Sequence, residues 1–195
     1  ERLWAFRRRV EPGDALPDAD AIERFRRVMD DDFNTAEAIG ELSKVFTLIN
    51  DILDLSKIES GHLELNCTRF ESRQFIDRCL GIIKETALKG GISIESHIVK
   101  IPETVVADKR KVKQVLYNLL SNAVKFTEEG HILVQAELKE KSADQAEILF
   151  SVEDTGIGIA PDERETIFET FRRTPSSQAT KEGTGLGLAI SRQFV

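Results

Sequence analysis

Apolar residues recur along the chain with two different periods, and the change of period divides it. From Ile39 they fall three and four apart in two adjacent seams, Ile39, Leu42, Phe46, Ile49 and Leu53 beside Val45, Leu48, Ile52 and Leu55. That spacing makes one broad helical face. So wide a stripe wants neighbours on two sides, as in a four-helix bundle, and a second copy of the chain is expected to supply them. Glu59, Ser60 and Gly61 end the run, with Gly61 placed for a left-handed C-terminal cap. Ahead of it, residues to about Val10 read as a short amphipathic helix and Glu11 to Asp20 as a Pro, Gly and Asp loop. A long helix follows that Asp18 or Asp20 would cap.

Beyond Leu65 helical and alternating segments take turns. Phe75, Cys79, Leu80, Ile83 and Ala87 share a helical face with Ile76 beside it, Ile92 to Val99 alternates as a strand, and Val105 and Val106 suggest another short one. Lys111 to Phe126 is the clearest helix. His131 to Glu140 and Ala146 to Asp154 read as strands joined by a charged turn, and a glycine-rich stretch from Asp154 to Gly187 leads into a last helix. This order predicts an α+β fold, a two-layer α/β sandwich with helices on one face of a mainly antiparallel sheet, preceded by a helical hairpin.

Composition narrows the function. The 195 residues, 41% hydrophobic and 31% charged, suit one globular domain or two small ones and exclude a disordered chain. With 27 basic against 34 acidic residues the net charge is -7, so no global basic field exists for nucleic acid or anionic lipid, and a nucleic-acid partner is not expected. Cys67 and Cys79 are too few and wrongly spaced for a disulfide scaffold or a zinc site, and Cys79 reads as a small core residue. No apolar run spans a bilayer, and the start carries no signal peptide, which points to a cytoplasmic location. A start at Glu1 and a stop inside an apolar helical pattern read as a fragment.

Three segments carry chemistry. At about 100° per residue, Val112, Val115, Leu116, Leu119, Ala123 and Phe126 face a core, while Asn118, Asn122 and Lys125 fall together on an adjacent face. Two carboxamides and an ammonium offer oxygen ligands for a hard divalent cation and a charge for phosphate, though a solvated polar stripe has the same pattern. Asp154, Thr155, Gly156, Ile157 and Gly158 follow a strand. An ionised carboxylate at a buried strand end accepts from an adenine amino group, and glycines let backbone approach a ring. Gly183, Thr184, Gly185, Leu186 and Gly187 then open a helix, where free N–H groups and the positive helix end suit phosphates.

Together, in this order, these residues resemble the catalytic ATP-binding half of sensor histidine kinases, members of the Bergerat-fold ATPases related to gyrase and to the ATP-driven heat-shock chaperones. The resemblance covers residues 48–195, about three quarters of the chain. It implies that Asn118 to Phe126 form the N box, with Asn122 on magnesium, Lys125 near phosphate and Phe126 against adenine. Asp154, Gly156 and Gly158 would be the first glycine box. Phe168 and Phe171 would be the F box of a lid running from Glu163 to Glu182, and Gly183, Thr184, Gly185, Leu186 and Gly187 the second glycine box. Asn118, Asn122 and Lys125 are the catalytic residues so implied, and ATP and Mg2+ the cofactors. In hydrolysing relatives a glutamate stands where Asn118 stands here, and an amide is no base for water. The γ-phosphoryl is then held for another nucleophile, a histidine on a dimeric helical hairpin. A homodimer and a response regulator are the implied partners of the parent kinase.

The chain departs from that family in two places. Leu48 to Leu65 resembles the end of the second dimerisation helix, but none of the three histidines, His62, His97 and His131, sits in a phosphoacceptor context. Residues 1–46, with the run Asp31, Asp32, Phe33, Asn34 and Thr35, are instead similar to the C-terminal helical region of cysteinyl-tRNA synthetases. The expected organisation is a chimera: a synthetase-like hairpin over 1–46, the end of the dimerisation helix over 47–65, and an ATP-binding domain over 66–195 that stops short of the family's last strands. The competing reading is a helical dimerisation module with an idle nucleotide site.

Overall fold

The computed structural model describes residues 23, 35–142, 145–172 and 183–195. The chain divides into two compact units, Glu1–His62 and Leu63–Val195. The predicted helix and loop before residue 23, most of the synthetase-like segment, and residues 173–182 of the lid lie outside the described residues.

In the first unit, helix α1 (Thr35–Glu59) runs without a break through the boundary expected at residue 46. It ends as its glycine demands. Gly61 has φ +71°, its N–H donates to Ile58 O at 3.0 Å, and the His62 N–H donates to Lys57 O at 2.9 Å. This is a Schellman closure of the last carbonyls. Of the two seams, Leu42, Phe46 and Leu53 stay exposed, while Val45, Leu48, Ile52 and Leu55 are half-buried.

The second unit contains β1 (Thr68–Glu71), α2 (Ser72–Lys89), β2 (Ile92–Val99), β3 (Thr104–Ala107), α3 (Lys109–Phe126), β4 (Gly130–Lys141), β5 (Ala146–Asp154), a single 3-10 turn (Thr166–Phe168) and α4 (Gly187–Phe194). The main sheet has the order β2-β4-β5. Its pairing corrects the expectation of a mainly antiparallel sheet, because β2 and β4 run parallel from Ile92↔Gly130 to Val99↔Glu137 and only β4 and β5 run antiparallel. The reason lies in the connection: β3 and α3 stand between β2 and β4, long enough to carry the chain back before it pairs.

One face of that sheet is apolar. Ile132, Val134 and Ala136 alternate with half-buried Leu133 and Gln135, and all three are 2% exposed or less. Ile94 and Ile98 of β2 and Phe150 and Val152 of β5 pack on the same core. Helices α2 and α3 supply its other side with Phe75, Ile76, Cys79, Leu80, Ile83, Leu116, Leu120 and Ala123. Cys79 behaves as the core residue expected of it. Burial pushes its thiol above the ordinary range despite the Lys113 and Lys109 charges, which leaves it unreactive. A separate antiparallel ribbon joins β1 to β3, with Phe70 opposite Val105. Strand β1 went unread in the sequence because it is four residues long with one large apolar side chain, and its partner is remote in the chain.

Candidate functional site

Helix α3 is the spine of the site. It begins two residues before the expected Lys111, because Asp108 caps it. Asp108 Oδ1 accepts the N–H groups of Arg110 at 3.0 Å and Lys111 at 3.2 Å, and Oδ2 accepts the Asn66 N–H at 2.9 Å. Burial alone would raise this carboxyl. The N–H groups of Asn66, Lys111 and Arg110, with the Arg110 charge, outweigh it and hold Asp108 below the usual carboxylate range. With Leu116, Leu120 and Ala123 turned into the core, helical geometry leaves Asn118, Asn122 and Lys125 on a neighbouring, half-buried face.

Both glycine segments come to that helix. At its C-terminal end the Ile157 N–H donates to Phe126 O at 3.2 Å. The approach is so close that a Cβ on Gly156 would collide with the Phe126 carbonyl oxygen. Any larger residue must push the turn away. Near the middle of the site, a Cβ on Gly183 would stand 3.1 Å from Lys125 Nζ. One turn or more toward the N-terminus, Asn118 Nδ2 donates to Gly187 O at 3.0 Å and to Ser191 Oγ at 3.2 Å. Two segments separated by 24 residues of chain therefore both reach α3, the first at its C-terminal carbonyl and the second at the Lys125 and Asn118 side chains.

The remaining expected residues fall around this line. Phe168 ends the 3-10 turn, with the Arg192 guanidinium 5.4 Å from its ring centroid. Phe171 adopts a left-handed φ of 60° and donates its N–H to Gly185 O at 3.1 Å. Gly185 itself has φ +70°, and a Cβ there would lie 2.9 Å from Arg172 O. The Thr184 hydroxyl accepts the Leu186 N–H at 3.2 Å just before α4 opens. The first N–H groups of that helix have no intrahelical acceptor. Lys125 Nζ stands 5.0 Å from the Phe126 ring centroid, and the Asn122 carboxamide has no hydrogen-bond partner among the described residues. Gly158 has φ +69° with nothing within 4 Å of where a Cβ would be, so open space lies beside that turn.

One expectation needs correction. Asp154 does not sit at a buried strand end: among the described residues β5 pairs on one side only, and Asp154 is exposed, with Oδ1 accepting the Gly156 N–H at 2.9 Å. The Leu186 side chain is wholly buried, and its N–H donates to the Thr184 hydroxyl. It anchors the loop from beneath. Two residues of consequence were not singled out in the sequence, Asp108 and Ser191. An aspartate directly before an apolar-periodic helix is a readable N-cap signal. Ser191 had none, being one polar residue inside a helix. The three histidines are all exposed, with His97 on β2 and His131 opening β4.

Comparison with known proteins finds similarity over two regions of the chain. Residues 24–73 match the DALR domain, and residues 107–195 match the family described as histidine kinase-, DNA gyrase B-, and HSP90-like ATPase. Hybrid signal transduction histidine kinase B of Dictyostelium discoideum is 38% identical over 75% of this chain, which spans only 8% of that kinase's length. Full-length ShkA in complex with AMPPNP superposes with a TM-score of 0.66 at 32% identity, over 82% of this chain and 32% of that one. Histidine kinase ThkA, solved with the response regulator protein TrrA, aligns over 89% of this chain and 48% of that one, with TM-score 0.57 and 25% identity. The catalytic domain of ThkA alone is 30% identical with TM-score 0.55, over 68% of this chain and 80% of that domain. Being 30% identical to that domain and sharing its fold over most of its length, the chain belongs to the histidine kinase-, DNA gyrase B-, and HSP90-like ATPase family.

Proposed function

We propose that the chain binds magnesium-ATP along the Asn118 to Phe126 face of α3 and serves as the phosphoryl-donor part of a two-component sensor histidine kinase. The observation that carries this reading is the approach of Gly156, Gly183 and Gly187 to that one helix, at Phe126, Lys125 and Asn118 respectively. When bound, the nucleotide supplies the transferable γ-phosphoryl and magnesium offsets its charge. The chain's own residues fit that cargo. Among the described residues no group of three His, Cys, Asp or Glu side chains could cage a resident metal, so the amide oxygen of Asn122 suits an ion that arrives with phosphates. Lys125, beside Gly183, supplies a positive charge next to the loop, and the loop's backbone and the start of α4 supply N–H donors. Asp154 keeps Oδ2 for an adenine amino group, and the open space at Gly158 leaves room for a ring beside Phe126.

Asn118 cannot act as a base toward water, because it is an amide whose nitrogen is already donated to Gly187 and Ser191. Slow hydrolysis follows, with the phosphoryl reserved for a histidine other than exposed His62, His97 or His131. Residues 66–195 are the ATP-binding domain in this reading, 47–65 the end of a dimerisation helix, and 1–46 a hairpin akin to the cysteinyl-tRNA synthetase C-terminal region. Exposed Leu42, Phe46 and Leu53 on α1 favour a homodimer, and the ThkA complex with TrrA favours a response-regulator partner. No described helix is long and apolar enough to cross a membrane. The proposed location is the cytoplasm.

The match of residues 24–73 to the DALR domain and the exposed face of α1 support a second reading, a chimeric helical dimerisation module whose nucleotide site is idle. Isothermal titration of the folded protein with ATP and magnesium separates the two. Heat of binding with a Kd on the order of micromolar, removed by Asn122→Ala, is the result expected for the kinase reading. A folded dimer that takes up no ATP would refute it and leave the idle module.

A further inference from the structure

Asn118, Gly187 and Ser191 close a ring of hydrogen bonds. Asn118 Nδ2 donates to Gly187 O at 3.0 Å and to Ser191 Oγ at 3.2 Å, and the Ser191 hydroxyl donates to the same carbonyl at 2.8 Å. The chemistry of the ring fixes its direction. A backbone carbonyl only accepts, so the amide end facing it must be nitrogen. A hydroxyl whose hydrogen is spent on that carbonyl can only accept from the amide. The nitrogen end of the amide is therefore the one turned to Gly187 and Ser191, and Oδ1 is left with no partner among the described residues. Ser191 is itself buried, 6% exposed, so water does not compete for its hydroxyl. Gly187 completes the fit, since a Cβ there would lie 3.1 Å from Asn118 Cγ.

Resting on the nucleotide reading above, we propose that Ser191 is a positioning residue: with the Gly187 carbonyl it holds the Asn118 amide in one orientation, so that Oδ1 rather than Nδ2 is presented to the hydrated magnesium that accompanies the nucleotide. An amide turned the other way would offer two N–H groups to a cation's shell, which repels. The same ring ties the opening of α4, and with it the phosphate-side loop, to α3.

The test is the magnesium dependence of ATP binding. Isothermal titration of wild type and Ser191→Ala with ATP is run once with magnesium and once with EDTA. Loss of one hydrogen bond that orients a ligand group weakens binding about fivefold. That loss is expected with magnesium, while the EDTA titrations of the two proteins agree within about a factor of two. A role confined to holding α4 would weaken both titrations equally, and that result, or no loss in either, overturns the proposal. If Ser191→Ala does not fold, Ser191→Cys keeps the volume with only a weak S–H donor, and the same split is required of it. A folded wild type that binds no ATP in either buffer overturns the nucleotide reading and this inference with it. A wild type that binds while the variant shows no split overturns this inference alone.

Discussion

At the N-terminus of α3 the Asp108 carboxylate receives three backbone N–H groups, one of them from Asn66, which lies 42 residues away in the sequence. It therefore both starts the helix that carries the site and pins the segment leading into β1. Removing such a cap costs typically about 1 kcal/mol, and a buried charge-assisted bond adds a comparable amount, so Asp108→Ala is expected to lose about 2 kcal/mol. A thermal melt should show this as a midpoint lower by roughly 5–10 °C. The sign of the pH dependence follows from the lowered pKa of Asp108 in the folded protein. Its stabilisation is complete above the unfolded aspartate value of about 3.9 and disappears as pH falls through the lower native value. Wild type and Asp108→Ala should thus differ most near neutral pH and converge in acid, and an unchanging gap would show that the carboxylate's charge is irrelevant.

Among the elements, those with strong local period were legible in advance and those made by pairing or close approach were not. Helices α2 and α3 and strands β2, β4 and β5 follow from the spacing of Phe75, Cys79, Ile83 and of Ile132, Val134, Ala136, since each buries one clean face. The parallel pairing of β2 with β4 depends on where β3 and α3 take the chain, which no single segment encodes. The site divides the same way. The two glycine segments could be read from residue type, but the direction of the Asn118 amide, the exposure of Asp154 and the burial of Leu186 arise only when α3, β5 and α4 meet. Gly185 makes this concrete, since its left-handed backbone and its contact with Phe171 and Arg172 join the loop before α4 to the segment that follows the 3-10 turn. Gly185→Ala strains that φ by about 1–2 kcal/mol and forces the two segments apart. ATP affinity is expected to fall more than about tenfold in calorimetry while the circular dichroism of the sheet and helices is unchanged; unaltered affinity would show that the loop does not touch the nucleotide.

At the scale of the whole molecule the chain divides into two compact units. In the first, α1 leaves Leu42, Phe46 and Leu53 exposed by 40%, 63% and 52%, a row that the other described residues do not cover. Sedimentation should give a dimer, and Phe46→Glu with Leu53→Glu should give a folded monomer, because charges placed on an already exposed face cost the isolated chain little. A dimer unaffected by both changes would move the interface off α1. In the second unit, the account stands on the convergence of three separated segments around one nucleotide. The most direct measurement is the backbone amide NMR spectrum of the protein titrated with ATP and magnesium. The predicted result is that shifts concentrate on Asn118 to Thr127, Gly156 to Gly158 and Gly183 to Leu188 together and saturate at one common Kd. Shifts confined to a single one of these segments, or centred on the β1 and β3 ribbon, would contradict it.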